Sequence, residues 1–215
     1  MSSRWDKEFY DRAYRTNYNG QIYHYGRVFA QRIMKRENDE LSFYIDRWNF
    51  IKSIPAISYT KSKHILFIGC GFGYLMEVAI DAGYNNVVGI DTSPWIFQEL
   101  SKEARADVAA KIYDIDVCAA DALAKFRDLV GKLKFHVVIT EDVVTDFFVD
   151  DELATLLASC EEMLSATSEL SNIVHLVTTL SENQDSGYRW QTLEQWKNIN
   201  PNHTWVDIPN KRYAS

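Results

Sequence analysis

The chain has 215 residues, of which 47% are hydrophobic and 25% charged, with 9 glycines and 4 prolines. These proportions exclude collagen-like, low-complexity and wholly disordered proteins, and the length is sufficient for one self-sufficient core. Cys70, Cys118 and Cys160 lie far apart without CxxC pairing, which argues against a disulfide framework or a cysteine-based zinc site and fits a reducing compartment. No apolar run reaches the roughly 20 residues of a membrane helix, and the N-terminus lacks the apolar core of a signal peptide. The sequence therefore predicts a soluble, cytoplasmic protein.

The net charge of −7 is unevenly distributed along the chain. Residues 1–63 contain 12 Lys or Arg against 7 Asp or Glu, whereas the remainder contains 11 against 23. The acidic body disfavours a broad nucleic-acid surface, but the basic N-terminal segment leaves a small one open. A solvated helix surface explains the same charges.

The first part of the chain has a helical pattern. Apolar and aromatic residues recur at spacing four over residues 4–16, which predicts an amphipathic helix. The helical pattern resumes from residue 21 to about residue 54, with a polar run at 36–40 that suggests a break. Pro55 ends it, because the residue before a proline is pushed out of helical geometry. Residues 1–55 are therefore predicted to form an N-terminal helical cap.

After Pro55, strand-like and helical segments alternate. The strand-like runs are 64–68, 87–90, 111–117, 135–140 and 172–180. The helical runs between them are 74–82, 94–105, 122–130 and 151–164. This alternation is typical of βα repeats around a parallel sheet. Residues 56–215 are therefore predicted to form one α/β domain, a doubly wound and mostly parallel sheet with helices on both faces.

Three glycines follow the first strand of this domain directly. Gly69, Gly71 and Gly73 stand between strand and helix, where glycine permits a tight turn and a close approach of the main chain to a ligand. Asp91 follows 18 residues after Gly73, at the end of the next strand, a position suited to bind ribose hydroxyls. Tyr74 occupies the place of the third glycine in a dinucleotide motif. The combination predicts a nucleoside site rather than a purely structural turn.

With these residues the chain resembles the class I S-adenosylmethionine-dependent methyltransferases. Residues 66–73 are similar to the first motif of that family and residues 89–93 to its second, and the resemblance extends over about residues 63–180. It implies S-adenosylmethionine as the cofactor. The residues that it implies for cofactor binding are Gly69, Cys70, Gly71 and Gly73 at the methionine portion, Asp91, Thr92 and Ser93 at the ribose, Asp121 and Ala122 at the adenine, and Thr140 at the end of the fourth strand.

The chain departs from the family pattern at three places. Phe67 stands where family members usually carry an acid that helps to hold the amino-acid end of the cofactor. His136 stands at the start of the fourth strand, where an aspartate is common. Only residues 204–208 are strand-like after the fifth strand, so the closing antiparallel pair of the family is expected to be incomplete.

Two carboxylates are candidates for the chemistry. Glu141 and Asp142 follow the fourth strand at its carboxyl end, where open α/β sheets bind ligands. Either residue could accept a proton from an acceptor or orient a substrate cation. A helix N-cap or a solvated turn explains them as well, and Asp142 is suited to capping.

A histidine and two tyrosines are candidates for contacts with the acceptor. His175, in the fifth strand, could serve as a base or could be a hydrogen-bonded core histidine. Tyr14 and Tyr18 could belong to an aromatic lid over the cofactor and acceptor, or to a packing face. The histidines show neither helical pairing nor metal-ligand spacing, so no metal is predicted.

The residues after the fourth strand narrow the class of acceptor. Thr-Glu-Asp-Val stands where amino-methylating DNA enzymes similar to this fold carry an Asn/Asp-Pro-Pro-aromatic motif, and no cysteine fits the nucleophile of the cytosine-C5 enzymes. We therefore expect O- or N-methylation of a small-molecule acceptor. Two alternatives remain open: an RNA or nucleotide methyltransferase that uses the basic N-terminal segment, and a non-catalytic nucleoside-binding protein on the same fold.

Overall fold

A computed structural model describes residues 15–18, 21–24, 39–54, 61–131, 134–141, 143–144, 150–164, 172–177 and 192–207. The strands are β1 (Arg15–Tyr18), β2 (Gln21–His24), β3 (Ile65–Ile68), β4 (Val87–Asp91), β5 (Ile112–Asp114), β6 (Val137–Glu141), β7 (Asn172–Val177) and β8 (Thr204–Asp207). The helices are α1 (Asp39–Ser53), α2 (Tyr74–Asp81), α3 (Pro94–Glu103), α4 (Ala106–Ala109), α5 (Ala122–Val130), α6 (Asp150–Met163) and α7 (Leu193–Ile199). None of the helices within these ranges combines the length and apolarity needed to cross a bilayer.

Six strands form one sheet in the order β5-β4-β3-β6-β7-β8, and every neighbouring pair is parallel. This is the doubly wound order that starts from a central first strand and reverses direction once. The predicted α/β class is therefore confirmed. β8 joins the edge parallel to β7, so the described part of the sheet contains no antiparallel strand.

The two faces of the sheet bury separate cores, as alternation along β3 requires. Ile65 and Phe67 belong to a core shared with α1, α2 and α3. Leu66 and Ile68 belong to a second core shared with α5, α6 and α7. Helices thus cover both faces of the sheet.

The N-terminal segment differs from the helical prediction. β1 and β2 form an antiparallel hairpin, in which Tyr18 pairs with Gln21, so the helix expected from residue 21 and the helical ending at residues 15–16 are wrong. The physical reason is the sequence Asn19-Gly20 between aromatic and β-branched residues, which favours a two-residue hairpin turn over a helix end. The rest of residues 4–16 lies outside the described residues. The helix predicted further on is confirmed as α1, which begins within the polar run.

Helix α1 packs on the sheet beside α2. Trp48 is buried with its ring centroid 6.3 Å from that of Phe67 and 5.0 Å from that of Tyr84. Tyr44 meets Tyr74, the first residue of α2, edge to face at 5.5 Å. Phe67, the apolar residue in place of the family's acid, is therefore part of the apolar contact with α1.

Candidate functional site

The candidate site lies at the carboxyl edge of the sheet, where the strand order reverses. Ile68 of β3 pairs with Ile90 of β4 on one side and with Thr140 of β6 on the other. The chain leaves β3 and β6 on opposite sides of the sheet, which opens a crevice between their ends. The glycine loop, Asp91 and Glu141 all follow strands that end at this edge.

The glycine loop is held by main-chain hydrogen bonds and by left-handed backbone. The amides of Gly69 and Cys70 both donate to the Ile90 carbonyl oxygen, at 2.8 and 3.1 Å. Gly69, Gly71 and Gly73 have φ of 66°, 56° and 74°, a conformation that other residues rarely adopt. A Cβ on Gly69 would lie 2.1 Å from Cγ2 of Val143, so glycine also allows the loop after β6 to close against β3.

The last glycine of the loop joins it to helix α2. A Cβ on Gly73 would lie 2.6 Å from Val108 and 2.9 Å from Ile112, so α2 begins in close contact with α4 and β5. Gly73 is the N-cap of α2 and supplies no side-chain cap. The first-turn amides of α2 have no intrahelical acceptor, and the helix start therefore offers donors to a ligand in the crevice.

Asp91 joins β4 to the glycine loop. Its Oδ2 accepts from the Gly71 amide at 2.9 Å, and its Oδ1 accepts from the amides of Thr92 and Ser93, both at 2.8 Å. Burial raises the pKa of Asp91, and these three hydrogen bonds oppose the shift. The carboxylate predicted to bind ribose thus also fixes the position of the central glycine.

Ser93 supplies an unpaired hydroxyl beside Asp91. It is the N-cap of α3, with no side-chain cap bond, and its buried Oγ has no hydrogen-bond partner among the residues that the structure describes. Buried polar atoms are nearly always paired, so this hydroxyl, two residues after Asp91, is available to a ligand that displaces the atoms covering it. Thr92 takes part through its amide.

Cys70 contributes to the site through its main chain. A Cβ on Gly89 would lie 2.7 Å from the Cys70 Sγ, so the thiol lies against the middle of β4. Burial, followed by the nearby Asp91 carboxylate, raises the pKa of this thiol well above its usual range. The thiol therefore stays protonated and is not a nucleophile.

The predicted adenine residues are not brought to the centre of the crevice. Asp121 is exposed at the start of α5, where its Oδ2 lies 3.2 Å from Nζ of Lys125, and Ala122 is buried in the core. Asp114 and Asp116 lie nearer the strand ends: Asp114 pairs in register with Asp91, and Oδ1 of Asp116 accepts from the Cys118 amide at 2.9 Å.

Glu141 forms a buried ion pair with Arg47 of α1. The Arg47 side chain is 4% exposed and that of Glu141 16%. Sequence reasoning missed Arg47, because no local pattern distinguishes it from the other basic residues of the N-terminal segment. The pair links the N-terminal segment to the end of β6 and favours an orienting role for Glu141. Asp142 lies outside the described residues.

Thr140 and His175 lie beneath the carboxyl edge, with no exposed surface. The Thr140 Oγ1 and the His175 Nδ1 are 2.8 Å apart, and the His175 Nε2 lies 2.9 Å from the Nδ1 of His203. His175 therefore has the geometry of a hydrogen-bonded core histidine, one of the two alternatives that the sequence left open. Tyr14 lies outside the described residues, and only the main chain of Tyr18 is described, in β1.

No group of three or more metal-ligating side chains occurs within the part of the chain that the structure describes.

Comparison with known proteins extends the structural result. No protein-family model matches the chain. A solved S-adenosylmethionine-dependent methyltransferase from Clostridium acetobutylicum matches with a TM-score of 0.50 and 11% identity, over 80% of this chain and 82% of that one. A sugar N-methyltransferase from Streptoalloteichus sp. gives a TM-score of 0.50 and 13% identity, over 80% and 61%. The chain has the class I methyltransferase fold.

A further structure and two curated sequences match only part of their own length. A mitomycin 7-O-methyltransferase matches with a TM-score of 0.50 and 13% identity, over 79% of this chain and 50% of that one. Among curated proteins, tRNA U34 carboxymethyltransferases of Shewanella halifaxensis and Shewanella oneidensis are 40% identical over 47 residues and 44% identical over 48. These matches span 22% of this chain and only 14% of the relatives' length.

Proposed function

We propose that the protein is an S-adenosylmethionine-dependent methyltransferase acting on a small-molecule acceptor. The observation that carries the proposal is the joint fixing of the glycine loop and Asp91 at the point where the strand order reverses. The class I methyltransferase fold supports it, since structures of this fold include enzymes that use this cofactor. Because fold alone does not establish activity, cofactor binding and turnover are the claims to test.

The residues of the crevice fit the cofactor. The main chain of residues 69–73 and the start of α2 would hold its methionine portion through amides. The Asp91 carboxylate has lone pairs left after its three hydrogen bonds and would accept from the ribose hydroxyls. The unpaired Ser93 hydroxyl would complete this set. When bound, the cofactor supplies a methyl group already activated by a sulfonium.

The protein's own contribution to catalysis would be mostly positioning. An acceptor entering between the end of β6 and α1 would meet the Glu141–Arg47 pair, which would orient it by charge and hydrogen bonding. Holding an acceptor in line contributes several kcal/mol to lowering a barrier. If the substrate must lose a proton on methylation, Glu141 or Asp142 would take that proton as a general base. Such a base would raise the reaction rate by about 10²–10⁴-fold.

A small molecule is the acceptor class that we favour. Two of the matched structures are described as a sugar N-methyltransferase and a mitomycin O-methyltransferase. The body of the chain is acidic, with 23 Asp or Glu against 11 Lys or Arg after residue 63, which disfavours a long phosphate backbone. O- and N-methylation are both compatible with the site.

A second candidate function is modification of RNA. It is favoured by the partial match to tRNA U34 carboxymethyltransferases and by the excess of basic residues before residue 64. RNA binding at a basic segment would weaken steeply as salt is raised, whereas binding of a small molecule would not. Titration of transfer RNA at two salt concentrations therefore separates the two candidates.

Calorimetric titration with S-adenosylmethionine and S-adenosylhomocysteine tests the proposal. Ligand at about 100 times its dissociation constant stabilises by about 2.7 kcal/mol, which is a melting shift of about 5–10 °C for a chain of this size. We expect both ligands to bind wild type and Asp114→Asn, and Asp91→Asn to lose binding by at least about tenfold. Absence of binding to wild type at millimolar ligand would overturn the proposal, and binding without turnover over an acceptor panel would favour the non-catalytic alternative.

A further inference from the structure

A chain of four polar side chains crosses the second core from the carboxyl edge to the surface. Thr140 Oγ1 meets His175 Nδ1 at 2.8 Å, His175 Nε2 meets His203 Nδ1 at 2.9 Å, and His203 Nε2 meets Oε1 of Glu161 at 3.2 Å. Thr140, His175 and His203 are buried, whereas the Glu161 side chain is 55% exposed. One end of this relay therefore lies under the candidate site and the other lies in solvent.

The chemistry of the ends fixes the direction of every hydrogen bond in the relay. The carboxylate of Glu161 only accepts, so His203 must carry its proton on Nε2. A neutral His203 then accepts at Nδ1, which requires the proton of His175 on Nε2. His175 Nδ1 is left as an acceptor, so the Thr140 hydroxyl donates to it. All donors thus point toward Glu161.

Two neighbours support this direction. Oδ1 of Asn200 accepts from the Asn202 amide at 3.1 Å, which fixes the Asn200 side-chain NH₂ as a donor. Its Nδ2 lies 3.0 Å from Glu161 Oε1 and 3.3 Å from His203 Nε2, so with His203 protonated on Nε2 both nitrogens converge as donors on the same carboxylate oxygen. The Trp205 ring lies 4.3 Å from the His175 ring between centroids and stacks on Trp196 at 5.4 Å, so His175 is held in place by packing. The ring orientation cannot change without opening the core.

We propose that this relay transmits the protonation of His203 to the hydroxyl of Thr140, and that His175 is a positioning residue that reverses its tautomer when His203 becomes charged. In the charged state the proton of His175 Nε2 has passed to His203 Nδ1, and His175 has gained one proton at Nδ1. That proton comes from solvent through a transient opening of the core, since neither His175 nor Thr140 is exposed. His175 then donates to Thr140 Oγ1, and the Thr140 hydroxyl no longer donates to His175. One proton is gained in total.

The groups that face His203 set the range in which this reversal occurs. Within the described residues, these titratable groups are Glu161 on α6 and His175 on β7. Burial lowers the pKa of His203 and the Glu161 carboxylate opposes that shift, while burial and His203 lower the pKa of His175 still further. The relay is therefore neutral near pH 7, and His203 is the histidine of the pair that charges first on acidification.

The position of Thr140 connects the relay to the crevice. Thr140 pairs in register with Ile68, the residue before Gly69, and precedes Glu141 of the ion pair. A change in the direction of the Thr140 hydroxyl therefore occurs one residue before Glu141 and next to the strand that leads into the glycine loop. This consequence for ligand affinity rests on the proposed function, but the reversal itself does not.

Nitrogen-15 NMR of the whole protein with labelled histidine tests the reversal without any ligand. At neutral pH we expect His175 and His203 both to be protonated on Nε2 only. As His203 titrates on acidification, the proton of His175 should move to Nδ1 with the same midpoint. A His175 protonated on Nδ1 at neutral pH, or a His175 tautomer that stays unchanged while His203 titrates, would overturn the proposal.

Variants at the two ends separate a relay from simple core packing. Glu161→Gln removes the carboxylate and should lower the titration midpoint of His203, whereas the neighbouring Glu162→Gln makes the same charge change outside the relay and should shift it much less. Thr140→Val keeps the shape of the side chain but leaves a protonated His175 Nδ1 without an acceptor, so it should also lower that midpoint. If Thr140→Val leaves the midpoint and both tautomers unchanged, Thr140 is not coupled to His203 and the proposal fails.

Measurements of ligand affinity as a function of pH test whether the relay acts on the crevice. With S-adenosylhomocysteine as the probe, we expect the dissociation constant of wild type to change as His203 titrates, and that change to disappear in Thr140→Val. A dissociation constant that does not follow the titration would overturn the coupling to the crevice. If the probe fails to bind at any pH, the proposed function fails while the NMR result still decides the reversal.

Discussion

Two parts of the carboxyl edge are built in different ways. On the β3–β4 side, Asp91 binds amides that are 1, 2 and 20 residues away in sequence, so the arrangement is encoded within the single unit β3–α2–β4 and the two residues after it. On the β6–β7 side, His175 binds partners 35 and 28 residues away, and Glu141 pairs with an arginine of the N-terminal helix α1. The first side is a local motif, and the second exists only after the sheet has formed.

This difference also separates the two sides electrostatically. On the local side a carboxylate has a raised pKa, and on the distant side two histidines have lowered pKa values. The local side therefore favours proton uptake on folding and the distant side disfavours it. Substitutions of the titratable groups on the two sides should therefore change the pH dependence of the unfolding free energy in opposite directions.

The largest effect is expected on the distant side, from Arg47→Met. Removing one partner of a buried ion pair leaves the other charge uncompensated and costs about 3–5 kcal/mol of unfolding free energy. Lys52→Met, on the same helix and with the same loss of charge, is the matched control and should cost less than about 1 kcal/mol. Urea unfolding measures both, and equal costs for the two variants would show that the pair does not hold α1 to β6.

On the local side, Gly69→Ala should destabilise by about 3 kcal/mol. The new Cβ meets a left-handed backbone, which costs about 1–2 kcal/mol, and a clash with Val143, which adds about 1–3 kcal/mol. Gly131→Ala is the control, because Gly131 has nearly the same φ, 67°, and the added Cβ has no neighbour within 4 Å in the described part of the chain. The difference in thermal stability between the two variants measures the cost of the clash with Val143. If the Gly69→Ala variant is as stable as the Gly131→Ala variant, there is no such clash.

Asp91→Asn should cost about 1–3 kcal/mol of unfolding free energy. The asparagine carboxamide has one oxygen for three amide donors, so at least one buried amide loses its acceptor. Asp114→Asn removes the nearby exposed charge and should cost little, while lowering the pKa of Asp91. Chemical unfolding and NMR titration of the Asp91 carboxyl measure the two effects. If the Asp91→Asn variant is as stable as wild type, the glycine loop does not depend on the carboxylate.

The smallest effect is the dependence of stability on pH. His175 and His203 have lowered pKa values in the folded protein. Their contribution to the free energy of unfolding is therefore complete above the unfolded pKa of about 6.5 and is lost as the pH falls below it. The loss is at most about 1.4 kcal/mol per pH unit for each residue. Asp91 acts in the opposite direction, since its raised pKa makes the folded protein lose stability as the pH rises from the unfolded value of about 3.9 to the value in the folded protein. Urea unfolding between about pH 7.5 and pH 5.5 should show falling stability in wild type, and a rise over that range would contradict the assignment.

The same contrast explains how much of the molecule the sequence predicts. The glycines, Asp91 and the βα alternation are local patterns, and the sheet, its order of elements and the juxtaposition of Gly71 with Asp91 follow from them. Arg47 and His203 carry no local signal, since their importance arises from partners that folding alone brings near. The β1–β2 hairpin was mistaken for helix because spacing four among tyrosines outweighed the Asn19-Gly20 turn signal.

The two outer strands of the sheet have a consequence for how copies of the protein meet each other. β5 and β8 have only three and four residues, and each ends in an exposed aspartate, Asp114 and Asp207. Short outer strands that carry charge resist pairing with a neighbouring molecule. This protection rests on charged side chains at both edges, so replacing both aspartates with valine should favour self-association in concentrated solutions.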